Sequence, residues 1–164
     1  MKTLEIVAKI QICSHTELTN EQKTLVEAAK SATLTSYSPF SHYQVGAAVM
    51  LEGGEIVCGS NQENAAYPSG LCAERTALFY AGAKYPNVPV RKIAIIARHD
   101  GAITPEVCTP CGACRQVLCE SEARAKAPIE VLMCSASKVY IARGIESLLP
   151  LSFTAGTMDS ADRL

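Results

Sequence analysis

Two hydrophobic periods run through the chain, and the switches between them mark its elements. Leu25, Ala28, Ala29 and Ala32 recur at helical spacing, and Thr19 with Gln22 ahead of them makes a capping-box pattern that starts a helix. The helix is predicted to end near Ser36, where Ser38-Pro39 turns the chain. Val45 to Leu51 and Glu55 to Gly59 read as two strands joined at Gly53-Gly54, a hairpin. Good helix formers fill Ala73 to Ala83, and the apolar run from Lys92 to Ala97 has the pattern of a buried strand. A helix from Cys111 and a strand from Ile129 to Met133 follow, then a short strand at Val139 to Ala142 and a helical turn at Ile145 to Leu149. Leu4, Ile6, Ala8, Ile10 and Ile12 alternate with mostly polar residues, the period of an extra strand.

Strands interleaved with helices predict an α/β fold, a three-layer α/β/α sandwich around a mixed sheet of about five strands. The hairpin should be antiparallel, with parallel pairs formed through the helical crossovers. At 164 residues the chain reads as a single catalytic domain, 1–164, with residues 1–18 carrying the extra strand. The polar stretch from Asp159 to Leu164 is expected to fray.

Charge narrows the partners. Fifteen basic residues against 16 acidic ones leave a formal net charge of -1, which lacks the basic footprint of a nucleic-acid or anionic-membrane binder. A small, weakly charged substrate fits better. No apolar run approaches the roughly 20 residues of a membrane span, and Met1-Lys2-Thr3-Leu4-Glu5 opens no apolar run of signal-peptide type, so a cytoplasmic location is expected. Eight cysteines would suit a secreted disulfide framework. Chain length and the spacing of some of them argue instead for reduced protein, with Cys13, Cys58, Cys119 and Cys134 as small buried hydrophobes.

The chemistry lies in Cys72-Ala73-Glu74 and, far downstream, Pro110-Cys111-Gly112-Ala113-Cys114. Together they offer three soft ligands for Zn2+, one ion per subunit, and a carboxylate that is not a ligand. A structural zinc site fills all four corners; three thiolates leave one for water, beside a glutamate placed to move its protons. Pro110 suits a helix start, so Cys111 and Cys114 would share one face of a first turn, and Cys72 also precedes a helical run. Helix N-termini favour thiolate over thiol. Residues two apart face different sides of a helix interior, so Cys72 and Glu74 can share a cleft only at its opening turn.

Three thiolates overbalance a divalent ion, and a nearby cation would offset the excess. Arg75 is expected to donate hydrogen bonds to the sulfurs, and Arg115 is read as solvated surface. Cys108 forms a second, overlapping C-x-x-C with Cys111, but the segment before Pro110 is biased away from helix, which favours the Cys111 and Cys114 pair. His15, His42 and His99 lack metal-pair spacing.

These motifs, with Asn61-Gln62-Glu63-Asn64-Ala65-Ala66-Tyr67 and the segment from Ser38 to Ala48, resemble the small, homotetrameric, zinc-dependent cytidine deaminases from about Thr19 to about Phe153. The resemblance implies that Asn61 and Glu63 hold a ribose hydroxyl. The residues alone favour a plainer role, satisfying loop backbone groups. It also implies aromatic packing on a pyrimidine by Tyr43, where the family commonly has Phe, and by Phe153 from a neighbouring subunit. Tyr67 would approach an adjacent site, and the backbone of Ala65 and Ala73 would serve base and sugar. Members of the family usually start near the first helix, so the stretch ahead of it is a departure.

The reading that follows is hydrolytic deamination of cytidine, deoxycytidine or both, with Glu74 as proton shuttle and sites shared within a homotetramer. Two alternatives stay open: a deaminase of another aminated nucleoside such as blasticidin S, and a structural zinc module completed by Cys108.

Overall fold

The computed structural model describes residues 1–159, so of the stretch from Asp159 to Leu164 expected to fray, all but Asp159, which closes a short helix, lies outside the described residues. The chain forms strand β1 (Ile10–Cys13), helix α1 (Asn20–Ala32), the hairpin β2 (Gln44–Leu51) and β3 (Ile56–Ser60), and helix α2 (Ala73–Lys84). There follow β4 (Val90–His99), β5 (Ala102–Ile103), helix α3 (Gly112–Ala125), β6 (Glu130–Cys134), β7 (Val139–Arg143) and a short helix α4 (Ala155–Asp159).

Local chemistry accounts for the element ends. Thr19 caps α1: its side chain accepts from the Gln22 amide while the Gln22 side chain accepts from the Thr19 amide, the reciprocal pair that the sequence predicts. Gly53 and Gly54 turn the hairpin at φ 102° and 92°, a region closed to most side chains. The turn at Asp100-Gly101 also has both residues at positive φ, and it folds β5 back on β4. Two residues are too few to show a period, so β5 left no signal in the sequence.

The sheet has seven strands in the order β1-β7-β6-β4-β2-β3, with β5 beside β4. Five of them are the core strands that the sequence predicts, β1 is the predicted extra strand, and β5 alone was not foreseen. Among the strands of the described residues, only β4 and β6 pair in parallel. The crossover through α2 does not give the expected adjacent pair, because β2 sits between β3 and β4 and pairs antiparallel with both.

Alternation then sorts the side chains. Ala47, Val49, Ile93, Ile95, Val131 and Met133 face α2 and α3, whereas Ala48, Met50, Ala94, Ile96 and Leu132 face α1. Burial of each large side chain stabilises the sandwich by roughly 1.5–3 kcal/mol. Gly46 and Gly59 let the helices close on the sheet. A Cβ at Gly59 would lie 2.5 Å from the Ala77 amide nitrogen and 2.7 Å from the Ala73 carbonyl, so a bare backbone sets how near α2 approaches β3.

The extra strand is shorter than its sequence period. Ile10 pairs with Ala142, and β7 ends one residue later, before Gly144 at φ 90°. The alternating residues ahead of Ile10 therefore run past the end of their neighbour and stay exposed.

Candidate metal centre

Helices α2 and α3 lie on the same face of the sheet, and both begin at cysteine. Cys72 occupies the capping position of α2 and Cys111 that of α3, each with extended backbone, and Cys114 sits in the first turn of α3. Neither capping thiol makes a side-chain cap hydrogen bond. The three sulfurs face one another instead: Cys72 Sγ is 3.8 Å from Cys111 Sγ, which is 3.5 Å from Cys114 Sγ. All three lie within 4.8 Å of one another, the one such cluster of candidate ligands among the described residues.

That spacing fits Zn2+. Sulfurs about 2.3 Å from one ion at tetrahedral corners lie about 3.8 Å apart. The chemistry around them also fits. Arg75 Nη2 donates to Cys72 Sγ at 3.5 Å, a positive charge against a group of thiolates, and its Nε is buried with no hydrogen-bond partner. Cys108 stays outside the cluster, buried, its amide bonded to the Cys134 carbonyl. A fourth sulfur is therefore not supplied from that position. Burial grades across the centre, with Cys114 buried, Cys72 half-buried and Cys111 exposed, so it opens to solvent on one side.

The charge states follow from the same contacts. Hydrogen bonding from Cys114, then from Arg75 and Cys111, holds the Cys72 thiol down to about 5. Cys114 moves the other way, because it donates to Cys72 and is itself desolvated. Glu74 is the second residue of α2, only 4 % exposed, and burial followed by the charge on Cys72 raises its carboxyl above the usual range. Such a carboxyl holds a proton more readily than an exposed one, which suits a group that takes up and hands on protons.

Arg115 departs from the expected surface role. Its Nε donates to the Pro110 carbonyl at 2.9 Å and its Nη1 to that of Leu148 at 2.8 Å, tying the segment before α3 to the chain after β7. The histidines are engaged elsewhere: a ring nitrogen of His15 meets the Ser135 carbonyl, and one of His99 meets that of His42.

Beside Cys72 lies a cleft of about 560 Å³ whose wall includes Phe40, Ser41, Asn61, Glu63, Tyr67 and Arg75. Asn61 Oδ1 accepts from the Val45 amide at 2.8 Å and from the Ser36 hydroxyl, and Nδ2 donates to the Tyr43 carbonyl at 2.9 Å. Glu63 accepts from the Phe40 and Ser41 amides and from the Ser41 hydroxyl, which keeps its carboxyl below the usual range. Both side chains thus fix the loop between α1 and β2 while lining the cleft. Ser41 escaped the sequence reading as a residue of the wall, since a serine in a turn carries no distinguishing signal.

The remaining predicted positions are more scattered. Ala73 is buried at the start of α2, and Ala65 is exposed in the loop that leads to a single 3-10 turn, Tyr67–Ser69. Tyr67 is 75 % exposed with its ring edge-on to Phe40 at 5.8 Å. The Tyr43 hydroxyl is turned toward Thr104 and Cys108, and burial pushes its pKa up. Phe153 is 59 % exposed, does not line its own chain's cleft, and is held through its carbonyl by Gln116 Nε2.

Comparison with known proteins agrees with this geometry. Residues 19–127 match the family model described as the cytidine and deoxycytidylate deaminase zinc-binding region. A cytidine deaminase of Halalkalibacterium halodurans is 36% identical over 148 residues, covering 85% of this chain and 98% of the relative. One from Sporosarcina psychrophila is 41% identical over 96 residues, which cover 58% of this chain and 66% of that protein. The crystal structure of cytidine deaminase from Burkholderia pseudomallei superposes with a TM-score of 0.66 at 36% identity, over 83% of this chain and all of that one (100%). With the three-layer fold, the sulfur cluster and the buried acid in place, the chain belongs to the zinc-binding family of cytidine and deoxycytidylate deaminases.

Proposed function

We propose that the whole chain is one catalytic domain that hydrolyses cytidine, deoxycytidine or both to the corresponding uridine and ammonia, with Zn2+ held by Cys72, Cys111 and Cys114. The observation that carries this reading is the juxtaposition of three clustered sulfurs with a buried glutamate, while Cys108 is kept outside the cluster. When bound, the ion supplies Lewis-acid chemistry, acidifying water and polarising a reacting oxygen.

The protein's own groups supply the rest. Glu74 accepts a proton from the attacking water, delivers it to N3 of the ring as oxygen adds to C4, and then carries the second proton to the departing amine. Water adds, ammonia leaves, and the carboxylate is restored. Arg75 offsets the thiolate charge next to Cys72. Asn61 and Glu63 hold a sugar hydroxyl at the cleft wall, exchanging part of their bonding to the loop for bonding to substrate. The amides of Ala65 and Ala73 serve sugar and base, and Tyr43 offers a ring face to the pyrimidine.

Replacing Glu74 with Gln keeps size and polarity but removes the shuttle. Turnover of cytidine, followed by ultraviolet absorbance, should fall by at least about 10²-fold with zinc content unchanged. Near-normal turnover in zinc-loaded protein would refute the assignment.

The exposed rings of Tyr67 and Phe153 support a homotetramer in which each site borrows side chains from a neighbour. Mixing subunits tests this. Chains carrying Glu74→Gln and chains carrying Phe153→Ala, each poorly active alone, should regain activity when unfolded and refolded together. All eight cysteines are free, which suits a reducing, cytoplasmic setting.

A further inference from the structure

The first nine residues have the period of a strand but no strand beside them. Leu4, Ile6 and Ala8 continue the alternation of Ile10 and Ile12, yet β7 gives out opposite Ile10 and Arg143 is its last residue. Leu4, Ile6, Val7 and Ile12 are left 74 %, 49 %, 76 % and 64 % exposed. Strand β1 also ends the sheet, so its outer edge has no strand among the described residues. An alternating apolar segment next to an open edge is a template for pairing.

We propose that residues 1–13 pair antiparallel with the same residues of a second copy, about a two-fold axis through Val7, joining two sheets edge to edge. Residues 4–10 are complementary to themselves in that register, while Lys2 falls opposite Ile12 at the outer end. Residue n then faces residue 14 − n of the second copy, so Glu5 lies opposite Lys9 on both sides of the axis. Leu4 comes opposite Ile10, and Ile6 opposite Ala8, on the face where Ile10 already packs against the core under α2 and α3. Residues 1–4 of each copy cover the open edge of the other copy's Ile10–Cys13.

Other registers fit less well. A shift of one residue brings the apolar face of one copy against the polar face of the other, with Leu4 opposite Lys9. An axis through Ile6 keeps the faces matched but sets Glu5 opposite Val7 and Lys9 opposite Thr3, so neither charge meets its complement. Charge pairing therefore selects the axis at Val7. This interface uses none of the residues assigned to deamination.

The test is hydrogen exchange of the backbone amides of residues 3–9 in the full chain, at low ionic strength. Protection is expected in the parent protein. Glu5→Lys places lysine at both 5 and 9 and Lys9→Glu places glutamate at both, so each should repel its own copy across the axis and weaken association about tenfold. Mixed in equal amounts, the two variants are complementary at both pairs and should recover protection. The double variant, with the charges exchanged, should recover it alone. Deamination and zinc content of all variants should match the parent, which establishes that they fold. An unprotected parent segment, protection that survives either single reversal, or a mixture that shows no recovery would each overturn the proposal; the last would mean that the segment docks within its own chain.

Discussion

Arg75 shows how much one side chain contributes to the centre. Its guanidinium bonds to Cys72 Sγ while its Nε is buried without a partner, so the residue is held by the sulfurs and by little else. Arg75→Ala removes the one cation among the described residues that bonds to a cluster sulfur, and zinc affinity should fall by about 10–100-fold in a chelator competition. Arg75→Lys should recover part of that, since charge returns without the planar donor set. Asn61 and Glu63 teach a different lesson. Their side chains satisfy the backbone of the loop and also face the cleft, so the plainer reading and the substrate reading describe the same two residues. Sequence could show the pair but not this double engagement, which depends on where Val45 and Phe40 arrive in space.

Among the elements, those with local causes were legible. The capping box at Thr19 and the diglycine turn are written in a few adjacent residues, and both stand where the pattern puts them. Pairing was less so. Nothing in the strand sequences reveals that β2 lies between β3 and β4, because the choice is made by how α2 packs across the sheet. The position of α2 in turn rests on Gly59. Gly59→Ala would push a methyl into the backbone of Ala73 and Ala77, one residue from Cys72. We expect a loss of about 1–3 kcal/mol in denaturant unfolding together with weaker zinc binding. A variant that lost stability but kept zinc affinity would separate the helix position from the metal centre. Arg115 was misread for a related reason: its partners are carbonyls, one of them from a distant segment, which no side-chain pattern announces.

For the molecule as a whole, burial of thiols outside the centre sets an alkaline limit. Desolvation pushes Cys108 and Cys134 each up to about 12 from a starting value of 9.0. In the folded chain both remain neutral where the unfolded chain would ionise them. Their contribution to stability is therefore complete below about pH 9 and is lost as the pH rises toward about 12. Thermal melts should fall across that window, by up to about 1.4 kcal/mol per pH unit for each thiol. Cys134→Ala should flatten the slope even if it lowers Tm at neutral pH; an unchanged slope would show that this thiol ionises freely in the folded state.

The two helices that meet at the sulfurs both start without a side-chain cap, since a thiol is a weak acceptor and neither the Cys72 nor the Cys111 sulfur accepts from a backbone amide of its helix. Zn2+ bound by Cys72, Cys111 and Cys114 would tie their first turns to one another. The three side chains that would hold the ion thus also stand where both helices begin, so loss of any one should be felt in the local fold on that face of the sheet as well as in metal binding.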